Sequence, residues 1–226
     1  EKLVGLPLQS IIMKAALLPG YADHKTLRTA AAQAGAWLRS FHRATAAGSV
    51  PFDGTEVLSD TERLCESCRG EGLDDQAIRT IISGARAILT RGRRTTQSSA
   101  VLNDFTPLNV ILCETGMGFT DYSHMTMNGS SLHDVAMFLG AVEALEKYPF
   151  CNRSITVQVQ EEFVEAYGAS QQDQALLRVL KMKTLLGMFA QGRGGKESAL
   201  RKKVMWATVM KRFIQQAAQR SMAPAA

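Results

Sequence analysis

Apolar residues recur at helical spacing along most of the chain, and one short segment departs from that spacing. This departure limits the folds that the chain can adopt. Between Ser99 and Asp121, two short apolar runs beginning at Val110 and Met117 flank the turn-forming segment 114–116. This arrangement predicts a β-hairpin. Predicted helices cover about 23–46, 75–90, 132–147, 155–167, 172–190 and 197–219. The sequence therefore predicts an α+β fold that is mostly α-helical and carries one short hairpin.

Composition and charge exclude several other classes of protein. With 226 residues and 46% hydrophobic content, the chain can bury a core without disulfides or metal. Lys14 and Arg178 interrupt the two longest apolar stretches, so we predict neither a membrane span nor a targeting segment. The net charge of +5 suits anionic small molecules such as nucleotides. We do not expect a nucleic-acid partner, although the basic stretch 201–212 keeps that alternative open.

The four cysteines indicate a reducing compartment. Cys65 and Cys68 have C-x-x-C spacing, which could form half of a zinc site or a redox motif. A second pair at metal-ligand spacing is missing, since Cys113 and Cys151 are isolated. We therefore predict free thiols and a cytoplasmic location.

Three polar residues surround the predicted hairpin. Asp104 and Asn109 precede its first strand and Asp121 follows its second, so folding of the hairpin brings them toward one end. Phosphoryl transfer from a nucleotide needs a carboxylate that accepts the proton of the attacking hydroxyl, and oxygen ligands that hold Mg²⁺. The pattern favours that chemistry. The alternative is that Asp104 and Asn109 only close an Asx turn and that Asp121 is an ordinary loop carboxylate.

This spacing resembles a known family. Asp104-x-x-x-x-Asn109 followed by Asp121 is similar to the catalytic loop and metal aspartate of the aminoglycoside phosphotransferase and choline kinase family, which has the protein-kinase-like fold. Segments 38–42 (Leu-Arg-Ser-Phe-His), 134–136 (Asp-Val-Ala) and 1–8 (Glu-Lys-Leu-Val-Gly-Leu-Pro-Leu) also resemble family segments. The resemblance covers about residues 1–140.

The resemblance implies a domain organisation. Residues 1–220 would form the helical C-terminal lobe of a kinase-like protein, with 1–8 as a hinge remnant and 99–123 as the catalytic loop and metal hairpin. Residues 221–226 would be a frayed tail. The N-terminal β-lobe would be absent from this sequence.

The resemblance also implies roles for individual residues. Asp104 would be the catalytic base, and Asn109 and Asp121 would bind Mg²⁺. The backbone near Glu1 and Leu3 would contact the adenine of ATP.

Two further residues would support the site rather than take part in the chemistry. Asp134 would support the catalytic loop from the start of a helix, where a carboxylate is favoured by the backbone dipole and accepts amide hydrogen bonds. The alternative for Asp134 is an ordinary helix N-terminal aspartate. His42 would be a structural packing residue.

Two departures from the family pattern define an alternative function. The family usually has histidine two residues before the base, where this chain has Leu102. No glycine-rich phosphate loop or strand lysine precedes the hinge, and the chain begins at Glu1 inside a predicted ordered element, so we expect a missing N-terminal lobe as a partner. The expected function is ATP-dependent phosphotransfer to a small-molecule hydroxyl. The alternative is a catalytically impaired, pseudokinase-like nucleotide-binding or scaffold module.

Overall fold

The structure is a computed structural model that describes residues 4–18, 20, 23–91, 95–114, 116–192 and 209–222. The helices in these ranges are α1 (Leu8–Leu17), α2 (His24–Ala44), α3 (Gly54–Ser67), α4 (Asp75–Leu89), α5 (Leu132–Ala144), α6 (Arg153–Tyr167), α7 (Gln171–Gly192) and α8 (Lys211–Met222). The strands are β1 (Leu6–Pro7), β2 (Gly48–Pro51), β3 (Thr95–Val101), β4 (Val110–Cys113), β5 (Gly116–Phe119) and β6 (Thr126–Ser130). A 3-10 turn, Leu145–Lys147, follows α5. The predicted α+β, mostly helical class is confirmed.

The described residues form two compact units. Unit 1 holds those within 1–51 and 95–173, and unit 2 holds those within 52–94 and 174–226. The single lobe over 1–220, with its hinge and hairpin segments, stays a prediction. In the part of the chain that the structure describes, no helix combines the length and the apolar character that crossing a membrane requires.

Unit 1 is built around the close packing of α2 on α6. The Asp23 carboxylate caps α2 by accepting a hydrogen bond from the Thr26 backbone N–H at 3.1 Å. The buried face of α2 consists mainly of small or aliphatic residues, namely Leu27, Ala30, Ala31, Ala34, Gly35 and Leu38. Small side chains let the two helix backbones approach, and Gly35 lies directly against the carbonyl oxygen of Phe163 in α6.

We expect Gly35→Ala to destabilise the protein, because the new Cβ would overlap the Phe163 carbonyl oxygen. Overpacking of this kind costs about 1–3 kcal/mol, which outweighs the gain of roughly 1 kcal/mol from the higher helix propensity of alanine. Gly187→Ala in α7 is the matched control, since a Cβ there meets no described atom within 4 Å. Urea denaturation should show Gly187→Ala gaining roughly 0.5–1 kcal/mol. Equal effects of the two substitutions would contradict the packing argument.

The predicted hairpin is confirmed and belongs to a three-stranded antiparallel sheet of order β1-β4-β5. Val110 pairs with Phe119, and Cys113 pairs with Gly116 at the turn. Gly116 has φ +139°, which favours glycine at that position. β1 pairs with β4 through Leu6 and Leu112, so the segment predicted as a hinge remnant adjoins the strand that follows the catalytic loop.

A second antiparallel sheet, of order β2-β3-β6, is not predicted from the sequence. Its strands are largely polar, and β3 and β6 are joined by pairs such as Ser98 with Ser130. Hydrophobic period is therefore a weak signal for these strands, because much of each strand faces polar neighbours. The sheet places the end of β3 immediately before the catalytic loop.

Unit 2 consists of α3, α4, α8 and most of α7. α3 is not predicted from the sequence, although Asp53 caps it by accepting hydrogen bonds from the Thr55 and Glu56 backbones at 2.9 and 3.2 Å. The predicted helix over 197–219 lies partly outside the described residues, and its described part is α8. Ser221 and Met222, part of the predicted frayed tail, lie in the last turn of α8, where both side chains are buried. The rest of that tail, 223–226, lies outside the described residues.

The four cysteines, all within the described part of the chain, form no disulfide: Cys65 and Cys68 are buried in unit 2, and Cys113 and Cys151 are half-buried in unit 1. Burial raises the pKa of the Cys65 thiol to about 12, and the neighbouring Cys68 makes a smaller contribution in the same direction. A thiol with that pKa stays protonated near neutral pH, and metal ligation requires the thiolate. The absence of zinc stays a prediction.

Candidate active site

The hairpin brings Asn109 and Asp121 to the same end of the β4–β5 ladder. Asn109 directly precedes β4, and its carbonyl oxygen accepts a hydrogen bond from the Thr120 backbone N–H at 3.0 Å. This bond continues the ladder one step beyond the pair of Val110 and Phe119. Asp121 is the next residue, so the two predicted metal ligands flank one end of the hairpin.

Asp104 and Asn109 contact each other directly. The Asn109 amide nitrogen Nδ2 donates to Asp104 Oδ2 at 2.7 Å and to the Asp104 carbonyl oxygen at 3.1 Å. Within the loop, Thr106 N donates to the Asp104 carbonyl at 2.8 Å, and Asn109 N donates to the Thr106 carbonyl at 3.0 Å. Local hydrogen bonds thus close the loop. These bonds also fix the position of the Asp104 carboxylate.

Each of the three residues keeps one side-chain oxygen without a hydrogen bond to any described residue. These atoms are Asp104 Oδ1, Asn109 Oδ1 and Asp121 Oδ2. Carboxylate and amide oxygens are the ligands that Mg²⁺ prefers, and the ion usually takes only one or two protein carboxylates, with the rest of its shell supplied by water and phosphate oxygens. The donor set therefore fits Mg²⁺. No group of three or more His, Cys, Asp or Glu residues that could hold a metal occurs among the described residues.

The pKa values of the two carboxylates are shifted in opposite directions. Burial raises the pKa of Asp104, and the nearby charge of Asp121 raises it further, whereas the hydrogen bond from Asn109 opposes this shift. Hydrogen bonds from the Ser123 hydroxyl and backbone, at 2.6 and 3.0 Å, lower the pKa of Asp121. Neighbouring acidic groups whose pKa values are pushed in opposite directions can serve different purposes: one holds a charge and the other accepts a proton.

His124 is a neighbour of the site that sequence reasoning missed. When protonated, it lowers the pKa of both Asp104 and Asp121, so it lies close enough to act on each carboxylate. The only available signal was its position three residues after Asp121.

Asp134 holds the backbone that leads into the catalytic loop. Its side chain is completely buried, and its oxygens accept hydrogen bonds from the backbone N–H groups of Leu102 and Asn103 at 2.7 and 2.8 Å. Asn103 has φ +59°, a left-handed conformation that asparagine tolerates better than most residues. The carboxylate therefore fixes a turn directly before Asp104.

His42 contacts the same Asp134 oxygen that accepts the hydrogen bond from Leu102. Its Nε2 lies 3.1 Å from Asp134 Oδ2, and its Nδ1 lies 3.0 Å from the Tyr167 hydroxyl. His42 is 1% exposed, so both ring nitrogens are satisfied inside the protein. Tyr167 on α6 was not singled out from the sequence, because no local pattern marks a partner that lies 125 positions from His42.

An aromatic cluster fixes the other side of the loop. Phe105, the residue after Asp104, is fully buried and stacks on Trp37 at a centroid distance of 5.8 Å. It also contacts Phe119 at the end of β5, at 5.6 Å. Phe138 and Phe163 stack at 3.9 Å and lie within 6.3 Å of Phe105. Buried rings before and after the hairpin hold the loop and Phe119 in one fixed arrangement.

The remaining predicted positions divide into two groups. Leu102 is completely buried, so the position at which the resembling family has histidine is part of the core here. Glu1 and Leu3, predicted to contact adenine, lie outside the described residues.

No protein-family model matches the sequence, and no curated protein matches it. Several solved structures are similar to this chain. One glucosamine kinase structure covers 92% of this chain with a TM-score of 0.59 and 16% identity. Another, of glucosamine kinase in complex with glucosamine, ADP and inorganic phosphate, also covers 92%, with a TM-score of 0.58 and 15% identity. A choline kinase from Streptococcus pneumoniae matches over 83% of this chain with a TM-score of 0.47 and 16% identity.

The similarity to glucosamine kinase establishes the fold. The chain has a kinase-like α+β fold of the kind found in a kinase C-terminal lobe, as the sequence predicts. It spans 56% of the length of the glucosamine kinase chains and 64% of the choline kinase chain.

Proposed function

We propose that this chain carries the phosphotransfer site of an ATP-dependent small-molecule kinase. The observation that carries the proposal is the meeting of Asp104, Asn109 and Asp121 around one end of the β4–β5 hairpin, each with a side-chain oxygen left unbonded among the described residues. The kinase-like fold around that hairpin supports the same conclusion.

In this proposal each residue has a separate task. Asp104 accepts the proton of the attacking hydroxyl, and its hydrogen bond from Asn109 keeps one oxygen oriented while the other is available. Asn109 and Asp121 would hold Mg²⁺, which neutralises phosphate charge when bound. Asp121 suits a permanently ionised ligand because Ser123 lowers its pKa. Asp134 and His42 keep the backbone before Asp104 in place.

The acceptor is proposed to be a small polyhydroxylated molecule of the aminoglycoside or amino-sugar class. The resemblance to aminoglycoside phosphotransferases supports this, as does the fold shared with a glucosamine kinase that was solved with glucosamine and ADP. Activity is proposed to depend on an N-terminal lobe, because the chain spans 56% of the glucosamine kinase length. The predicted adenine contacts at Glu1 and Leu3 and the cytoplasmic location belong to this proposal.

The direct test is transfer of labelled γ-phosphate by the complete protein containing this chain. ATP and Mg²⁺ should be supplied with a panel of acceptors that includes glucosamine and aminoglycosides, and a deoxy analogue of any acceptor that reacts. We expect transfer that requires both Mg²⁺ and a hydroxyl on the acceptor. ATP consumption that is unaffected by acceptor or by Mg²⁺ removal would contradict the proposal.

A second candidate function is a pseudokinase-like nucleotide-binding or scaffold module. The observation that favours it is Leu102, which is buried where the resembling family has histidine. Against it, Asp134 still holds the backbone of Leu102 and Asn103, so the loop is fixed without that histidine. Mg²⁺-dependent ATP binding without transfer to any acceptor would favour this second function.

A further inference from the structure

A small polar cavity in unit 1 is not part of the proposed catalytic site. Its volume is about 200 Å³, and it is lined by the side of α2, the start of β3, the start of α5 and the segment between α6 and α7. The lining residues that carry the argument are Arg39, Arg43, His42, Ser131, Tyr167 and Asp173. We propose that this cavity binds a phosphate group, either as inorganic phosphate or as a small phosphate monoester.

Two guanidinium groups give the cavity its positive charge. Arg39 and Arg43 are four residues apart on α2, so their side chains project from the same face of the helix. Among the described residues, neither guanidinium has a hydrogen bond or an ion pair. Arginine binds phosphate through several N–H donors at once, and two unpaired arginines on one wall are suited to a divalent oxyanion.

The acidic residue in the lining, Asp173, already accepts two hydrogen bonds. Asp173 accepts hydrogen bonds through Oδ2 from the Ser170 backbone N–H at 3.0 Å and from the Ser170 hydroxyl at 2.7 Å. It makes no ion pair to either arginine within the described chain. One carboxylate therefore faces two guanidinium groups, which leaves the cavity with an excess of positive charge.

Two hydroxyl groups complete the lining. Ser131 is 4% exposed, and Tyr167 is half-buried. The Tyr167 hydroxyl lies 3.0 Å from His42 Nδ1. Burial raises the pKa of Tyr167, so the hydroxyl keeps its proton near neutral pH. Hydroxyl groups beside two arginines favour an anion with several acceptor oxygens over a monatomic anion.

The alternative role of Arg39 is packing. Its guanidinium lies against Gly168, 3.5 Å from the position that a Cβ would take there, and arginine stems commonly cover neighbouring backbone. A packing role predicts no dependence of phosphate affinity on the arginine charge. Arg43 is exposed, so its substitution separates the two roles.

The test is a calorimetric titration of the full chain with inorganic phosphate, and separately with methyl phosphate, at constant ionic strength. EDTA keeps Mg²⁺ away from the proposed catalytic residues. We expect saturable binding that Arg39→Gln and Arg43→Gln each weaken about tenfold or more. Arg28→Gln is the matched control, because it removes the same charge from the same helix where the guanidinium is paired with Glu162 at 2.6 Å.

The outcomes are decisive in both directions. Binding of either ligand that falls in the Arg39→Gln or Arg43→Gln protein and persists in the Arg28→Gln protein establishes the site. If Arg39→Gln fails to fold, Arg43→Gln alone decides, since that side chain is exposed. Absence of saturable binding, or equal weakening by all three substitutions, overturns the proposal. Neither result depends on whether the chain transfers phosphate.

Discussion

Replacing Asp104 with asparagine should lower the turnover of the complete protein by about 10²–10⁴-fold, the usual contribution of a positioned general base. Asparagine keeps the shape of the side chain, and its carbonyl oxygen can still accept the hydrogen bond from Asn109 Nδ2. What it loses is the capacity to take a proton. Measurement of kcat and KM with ATP and a reactive acceptor should therefore show the loss in kcat, with little change in nucleotide binding.

The same substitution should leave stability intact. Burial raises the pKa of Asp104, so the folded state favours the protonated carboxyl. The protonated group stabilises the fold at low pH, and this stabilisation is lost as pH rises through the folded-state pKa. A neutral asparagine avoids that loss, and urea denaturation near neutral pH should show no destabilisation. Asp75→Asn is the control, because that carboxylate is exposed and pairs with Arg69 on the surface. Normal turnover in Asp104→Asn would rule out the catalytic-base assignment.

The helices and the hairpin were largely predictable because their signals are local. α2 and α4 each bury one regular apolar stripe, and Asp23 and Asp74 cap them through their own side chains. The hairpin shows a change of period on either side of a turn that contains Gly116. Such features depend on residues close in sequence, so they can be identified without knowing what the segment packs against.

The elements that were missed lack such local signals. α3 buries only Val57, Thr61 and Cys65, of which one is a strong hydrophobe, and it follows a stretch with the composition of a loop. β3 and β6 are held by pairing between distant polar segments, as in the hydrogen bond of 2.8 Å between the Thr96 and Ser130 hydroxyls. The position of a polar strand in a sheet depends on the strand with which it pairs, and no local sequence pattern identifies that strand.

The candidate site divides in the same way. The spacing of Asp104, Asn109 and Asp121 around a predicted hairpin implies that they meet, and the structure places them around one end of the ladder. Tyr167 and His124 have no comparable spacing rule. Their contacts arise from the packing of α6 on α2 and from the course of the loop after Asp121, which are products of the whole fold.

Asp134→Ala should be the most destabilising of the substitutions considered, with a loss of about 3–5 kcal/mol. The change leaves the backbone N–H groups of Leu102 and Asn103 and the Nε2 of His42 without their acceptor in a fully buried site. Each buried polar group that loses its partner costs about 1–3 kcal/mol. Guanidinium denaturation of wild-type and variant proteins measures the loss.

Asp53→Ala is the matched control for burial. The Asp53 carboxylate also accepts two backbone hydrogen bonds, from Thr55 and Glu56, but it is exposed at the start of α3. Water can replace the lost acceptor there, so the expected cost is about 1 kcal/mol, typical of a helix cap. Similar losses for Asp53→Ala and Asp134→Ala would show that the hydrogen bonds matter and burial does not.

A second measurement separates local support of the loop from general stability. Hydrogen exchange in Asp134→Ala should show the amides of Leu102 and Asn103 losing protection before the amides of α4, because α4 belongs to the other compact unit. His42→Ala combined with Asp134→Ala should cost less than the sum of the two single changes, since both remove the same contact. Full additivity, with loop amides as protected as in the wild type, would make Asp134 an ordinary helix-terminal aspartate.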